Sequence, residues 1–203
     1  PASMVAGAAP TVLLPGVLLW RERFSRPAQE DLLGTVLAAV GEAPFYRPVM
    51  PRTGKTFGVE QTNFGPLGWV SDRTGYRYQD RHPVTGKPWP AIPAALLRLW
   101  ADIAAQYPAS GAPQCCLVNR YCAASRMGPH QDKDETALDA PVVSVSLCTA
   151  AVFRIGGLPR NAPVHRFTLQ SGDVVAFGGP ARLAFHGIVR VLPQSSTLVA
   201  DGS

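Results

Sequence analysis

From Gln114 onward the chain is cut into short apolar stretches, and that punctuation constrains the fold more than any other feature. The stretches are Gln114–Tyr121, Val142–Cys148, Ala151–Ile155, Val164–Gln170, Val174–Phe177, Arg182–Ile188 and Thr197–Ala200, parted by turn signals such as Gly156-Gly157 and Ser171-Gly172-Asp173. Each is too short for a stable helix and rich in β-branched or aromatic residues, so each reads as a strand. Strands this short and evenly spaced pack as a sandwich or jelly roll. Composition agrees: charged residues make up 16%, against 20 prolines and 19 glycines, a balance that favours strands and turns over long helices. At 203 residues and 46% hydrophobic content the chain fits one domain with a sizeable core, and is too apolar to be disordered through most of its length. The fold class expected is α+β, mainly β: a double-stranded β-helix (jelly roll) over 114–203, preceded by helices.

Upstream, residues 1–11 read as a tag or disordered N-terminus, with Pro1-Ala-Ser ahead of Met4, and a single domain spans 12–203. Val12–Phe24 reads as extended. Its apolar part is interrupted by Pro15-Gly16 and is too short to span a bilayer, and no basic segment precedes it as in a signal peptide. A cytoplasmic protein without a membrane segment is expected. Ser25 can cap a helix with Pro27 in its first turn. Leu32, Leu33, Val36, Leu37 and Val40 make its apolar face, and Gly41 ends it. Pro93 opens a second helix with a stripe of Leu96, Leu97, Trp100, Ile103, Ala104 and Tyr107. Between them, 44–93 mixes aromatics (Phe45, Tyr46, Phe57, Phe64, Trp69, Tyr76, Tyr78, Trp89) with Arg and Lys. Such a mixture can stack bases beside phosphate contacts. It can equally be a loop-rich lid packed by its own aromatics, and composition alone favours the lid. The net charge of +5 permits a polyanionic partner without requiring one. Cys115, Cys116, Cys122 and Cys148 form no C-x-x-C pair, which argues against a zinc ribbon and for reduced thiols in a cytosolic compartment.

The chemistry-bearing residues are few. In a strand, His130 and Asp132 share a face, and His186 lies on a later strand, followed by Gly187, which allows close backbone approach. Two imidazoles and one carboxylate on one side of a metal, with the other side open, is the arrangement of non-haem Fe(II) oxygenases. The H-x-D triplet alone is weak, since a polar run such as His130-Gln-Asp-Lys-Asp-Glu135 is also a common solvated loop. His82 and His165 read as structural or surface histidines. Asn119 and Tyr121 share a face with Leu117, and buried polar groups need partners, so they are expected to line a polar pocket.

Several segments occur together and in order: Leu67-Gly-Trp69, Gly75-Tyr-Arg-Tyr78, Lys87-Pro-Trp-Pro90, Asn119-Arg-Tyr121, His130-Gln-Asp-Lys-Asp-Glu135, Val143-Ser-Val-Ser-Leu147, Gly172-Asp-Val-Val175 and His186-Gly-Ile188. With these, nearly everything from Val12 onward resembles the AlkB family of Fe(II)/2-oxoglutarate-dependent DNA repair dioxygenases. The resemblance implies Fe(II) held by His130, Asp132 and His186, and 2-oxoglutarate chelating the metal against a wall formed by Asn119, Arg120 and Tyr121. It implies a nucleotide-recognition lid over 44–93, with Trp69, Tyr76, Arg77 and Tyr78 on the nucleic acid or extruded base. Asp134 would read the exocyclic amino edge of the base, and Arg160 would line the substrate side. The implied reaction uses O2 to demethylate 1-methyladenine and 3-methylcytosine oxidatively in single-stranded DNA, releasing formaldehyde. RNA, and duplex DNA by base flipping, are further substrates the family suggests, and a monomer is expected.

One departure stands against the pattern. The family clamps the 2-oxoglutarate carboxylate with arginines on a final strand beyond the His-Gly-Ile segment. Here the last arginine is Arg190, too close to His186 to match. A bidentate arginine is the strong way to hold a carboxylate, so the expectation is a chain cut short of that strand, with weak or absent activity. Three rival readings follow: a non-catalytic module that binds methylated nucleic acid, a 2-oxoglutarate oxygenase acting on protein or a small molecule, and, least favoured, a cupin-type metal isomerase, whose sites usually carry more histidines than the four present.

Overall fold

The computed structural model describes residues 9–108 and 111–198. In chain order these form strands β1 (Thr11–Leu14) and β2 (Val17–Trp20), helix α1 (Arg26–Ala39), strands β3 (Glu60–Phe64), β4 (Gly68–Asp72) and β5 (Gly75–Gln79), and helix α2 (Ala94–Ala104). Strands β6 (Cys116–Arg120), β7 (Met127–His130), β8 (Val142–Val145), β9 (Ala151–Ile155), β10 (His165–Leu169), β11 (Val174–Phe177) and β12 (His186–Val191) follow, with a 3-10 turn at Gly179–Ala181.

Two four-stranded antiparallel sheets carry the core, one in the order β1-β2-β11-β8 and the other β10-β9-β12-β7. Val17 and Leu19 of β2, and Val175 and Phe177 of β11, pack between the sheets on Phe153, Ile155 and Leu169. The alternate residues of β11, Val174 and Ala176, pack outward with Trp20, Phe24, Leu32, Leu99 and Ile103 under the two helices. Strand residues alternate faces, so β11 is buried throughout because it is covered on both. The layers are helices, sheet and sheet, and the mainly-β jelly-roll expectation stands.

The helices begin where the sequence places them. Ser25 caps α1, its hydroxyl accepting from the Ala28 amide at 3.5 Å. In α2 the expected stripe is rotated: Leu97 is exposed, while Leu99 and Ile103 are the fully buried residues. The Trp100 indole donates to the Gly111 carbonyl at 3.1 Å, which keeps the ring at the helix edge and turns Leu99 inward.

Four strand expectations need correction. Val12–Phe24 is a hairpin, not one extended segment, because Gly16 (φ +84°) makes the turn where a Cβ would lie 2.3 Å from the Gly178 carbonyl oxygen. The region 44–93 is not all loop: β3 pairs with β6, and β4 with β5. Arg182–Phe185 is a turn leading out of the 3-10 segment, and only from His186 is the chain a strand. Thr197 and Leu198 are not in a strand, and Val199 and Ala200 lie outside the described residues.

Candidate metal centre and the hairpin above it

Strands β7 and β12 run antiparallel with His130 directly opposite His186, and the two rings lie 4.4 Å apart. The close pairing depends on Gly187, where a Cβ would sit 2.5 Å from the Met127 carbonyl oxygen. The bulky neighbour that this glycine admits is therefore the backbone of β7. Below His186, the rings of Phe177 (4.5 Å) and Phe153 (6.1 Å) form an apolar bed.

The backbone fixes both imidazoles. His130 Nδ1 meets the Gly128 carbonyl at 2.9 Å and His186 Nδ1 meets the Ala184 carbonyl at 3.1 Å. A carbonyl only accepts, so each Nδ1 carries a hydrogen and each Nε2 is turned toward the site, the arrangement seen around metal-ligating histidines. Asp132 completes the set, Oδ1 lying 3.6 Å from His130 Nε2 and Oδ2 3.5 Å from His186 Nε2. Among the described residues, this is the group of His, Cys, Asp and Glu whose ligand atoms converge, all within 4.8 Å of one another. Burial, and then the neighbouring His186, lower the His130 pKa and favour its neutral form. Burial pushes the Asp132 carboxyl up, but the flanking histidines and Arg182 outweigh it and leave the carboxyl below its usual value. Neutral imidazole and ionised carboxylate are the forms that ligate a metal.

Asp132 does not share a strand with His130. Strand β7 ends at His130 and Asp132 lies in the loop beyond, so the loop itself must be held. Gln131 Nε2 donates to the Leu183 carbonyl at 2.6 Å. Arg182, buried, donates to the carbonyls of Asp132 (2.6 Å) and Ala140 (2.7 Å) and to Glu135 Oε2 (3.2 Å). Sequence reasoning assigned no role to Gln131, Glu135 or Arg182. The available signal was an arginine in an otherwise apolar run, since a buried charge is rare without partners.

The β4–β5 hairpin is bonded to the same loop. Trp69 Nε1 donates to Asp134 Oδ2 at 3.0 Å and the Tyr78 hydroxyl to Glu135 Oε1 at 2.6 Å. Tyr76 stacks on Trp69 with centroids 5.6 Å apart and 17° between planes, and the Phe57 ring lies 6.2 Å from Trp69 at a 50° tilt. Arg77 alternates away from Tyr76 and Tyr78 and pairs with Asp72 at 2.8 Å. Arg160 lies 5.4 Å over the Phe185 ring. Trp69, Tyr76, Tyr78 and Asp134 are thus brought together, and Arg77 is not among them.

Asn119 and Tyr121 separate from Arg120 in the same way. Asn119 faces Gln61 across the β3–β6 pair and accepts from its Nε2 at 2.7 Å. The Tyr121 hydroxyl lies 3.8 Å from the Met127 sulfur, and burial raises its pKa far above the ordinary range, so it remains a donor. Arg120 turns to the other side, onto Glu60 (2.8 Å) and the Phe45 ring (4.2 Å). A cavity of about 320 Å³ is lined by Arg47, Glu60, Arg120, Tyr121 and Cys122. His82, fully buried, holds the Pro44 carbonyl at 2.7 Å and accepts from the amides of Val84 and Thr85, a structural role.

Comparison with known proteins agrees with this geometry. Residues 11–202 match the family model of the 2OG-Fe(II) oxygenase superfamily. The chain belongs to that family. It is 48% identical over 197 residues to an alpha-ketoglutarate-dependent dioxygenase AlkB homolog of Caulobacter vibrioides, covering 96% of this chain and 87% of the relative. It is 45% identical over 178 residues to the alpha-ketoglutarate-dependent dioxygenase AlkB of Escherichia coli K12, covering 87% and 81%. The solved structure of OsALKBH1 superimposes with a TM-score of 0.78 at 30% identity, covering 92% of this chain and 90% of that one.

As a 2OG-Fe(II) oxygenase of AlkB type, the protein is a dioxygenase that uses Fe(II), 2-oxoglutarate and O2. The residues fit the metal: two nitrogens and one carboxylate oxygen converge from one side, their outer nitrogens already engaged by carbonyls. Two nitrogens and a carboxylate suit Fe(II) better than a thiolate-preferring metal. Membership of this family excludes the cupin-isomerase reading.

Proposed function

We propose that this oxygenase removes N-linked methyl groups from nucleobases, with 1-methyladenine and 3-methylcytosine in single-stranded DNA as substrates. His130, Asp132 and His186 are assigned as the Fe(II) ligands, and Asn119 and Tyr121 as donors to 2-oxoglutarate, with Arg120 bracing that wall through Glu60. Residues 44–93 are assigned as the nucleotide-recognition lid. The observation that supports the reading is the pair of bonds from the β4–β5 hairpin to Asp134 and Glu135, which ties the stacked Trp69 and Tyr76 rings to the loop that carries Asp132.

Iron, with 2-oxoglutarate and O2, supplies hydroxylation of the N-methyl carbon, the co-substrate leaving as succinate and carbon dioxide and the methyl as formaldehyde. The chain's residues do the rest. Trp69 and His130 stack a methylated, positively charged base, which gains from an aromatic face. Asp134, fixed by the Trp69 indole, accepts from the exocyclic amine. Tyr76 and Tyr78 line the approach, and Arg77 and Arg160 take the nucleic acid outside the base pocket. A base within a duplex cannot reach this loop unflipped, and a methyl on its pairing edge makes extrusion less costly. A monomer in the cytoplasm belongs to the same proposal; the four thiols are free, and no described helix is long and apolar enough to cross a membrane.

The test is the mass of a single-stranded oligonucleotide carrying one 1-methyladenine, after incubation with protein, Fe(II), 2-oxoglutarate, ascorbate and air. The mass falls by one methylene with the unaltered chain and stays unchanged with His130→Ala. An unchanged mass from a chain that binds both Fe(II) and 2-oxoglutarate contradicts the assignment.

A further inference from the structure

Asp132 reaches the metal face from a loop, so its position depends on whatever holds that loop. We infer that Arg182 is the positioning residue for Asp132, and that Glu135 ties the base-facing hairpin into the same bonded unit. The inference rests on the reading of His130, Asp132 and His186 as metal ligands, and goes beyond it by naming what sets their geometry.

Arg182 is 5% exposed. Its guanidinium spans the loop, with Nη1 on the Asp132 carbonyl at 2.6 Å, Nε on the Ala140 carbonyl at 2.7 Å and Nη2 on Glu135 at 3.2 Å. One side chain therefore grips the ligand's own peptide, the far end of the loop and the carboxylate between them. The planar fork of arginine supplies donors in three directions, which a lysine ammonium on a flexible stem does not hold in register. Arg182 also sits in the turn that leads into His186, so one short segment carries one metal ligand and the holder of another. Glu135 completes the connection: Oε2 takes Arg182 and Oε1 takes the Tyr78 hydroxyl at 2.6 Å. Contacts behind metal ligands usually matter nearly as much as the ligands, and here those contacts run on into the hairpin that faces the substrate.

Calorimetric titration of the apo chain with Co(II), beside thermal unfolding of the same samples, tests this. Arg182→Met is expected to weaken Co(II) binding by about 10- to 100-fold, the range for supporting residues of metal sites, with Arg182→Lys restoring part of the loss. Glu135→Gln, which keeps size and shape, weakens it less, and Tyr78→Phe least. Lower unfolding temperatures with unchanged Co(II) affinity in Arg182→Lys and Glu135→Gln would leave Arg182 a purely structural residue and overturn the inference, even if Arg182→Met does not fold. Failure of the unaltered chain to bind Co(II) would remove the metal site itself, and the inference with it.

Discussion

Gly187 shows how one missing side chain shapes the site. Alanine there would place a Cβ 2.5 Å from the Met127 carbonyl oxygen and 2.9 Å from that of Gly128, both backbone, so β7 must move away from β12. The expected cost is ~1–3 kcal/mol by denaturant unfolding, with a larger loss of metal affinity because His130 moves with β7. His130 makes a second prediction. Its folded-state pKa is lowered, first by burial and then by His186, so below about pH 6.5, the ordinary histidine value, the unfolded chain takes up a proton that the folded chain resists. Stability then falls as pH drops from there through the lowered folded value. Asp132, also lowered, adds a loss only in the more acidic range, below about pH 4. In the metal-free protein, His130→Gln should flatten the stability profile just below about pH 6.5, the ordinary histidine value; an unchanged slope would show that His130 does not titrate as described.

Among elements, the turn between β10 and β11 is held by one buried carboxylate. Asp173, 1% exposed, accepts from Arg21 (2.6 Å), from the Glu22 amide (3.0 Å) and from the Gln170 amide (2.9 Å). Asp173→Ala takes this acceptor from the Glu22 and Gln170 amides, while Arg21 keeps the Thr168 carbonyl, and is expected to cost about 1–3 kcal/mol in urea unfolding. By contrast Arg77→Ala, which breaks a half-exposed pair with Asp72, should cost no more than ~1 kcal/mol. Trp69→Ala removes the stacking platform and should lower affinity for a methylated oligonucleotide by about 1–3 kcal/mol in fluorescence titration. The elements differ in how legible they were. Strands β9 and β11 and the start of α1 are written locally, in alternation and in the Ser25 cap. The β4–β5 hairpin was hidden because its strands set aromatics on one face against charged and polar residues on the other, with no apolar–polar alternation, and Arg77 falls on the face away from Tyr76 and Tyr78, where it pairs with Asp72.

For the whole molecule, the candidate metal ligands were readable because the types and order of His130, Asp132 and His186 are distinctive; what joins them was not. The cross-strand register that sets His130 opposite His186, and the Arg182 grip that brings Asp132 in from a loop, are contacts between segments far apart in the chain. Alternation within one strand suggested a different origin for Asp132. The excess of five positive charges adds an expectation at this scale: affinity for unmodified single strands should fall steeply with salt on a log–log plot, and a flat plot would speak against a nucleic-acid partner. The most direct test of the account is a crystal grown with Mn(II) and 2-oxoglutarate, read by anomalous scattering. The account predicts one metal peak bonded to His130 Nε2, His186 Nε2 and the Asp132 carboxylate, with 2-oxoglutarate within hydrogen-bond reach of Asn119 and Tyr121. A metal bound elsewhere, or one that leaves Asp132 unbound, would contradict it.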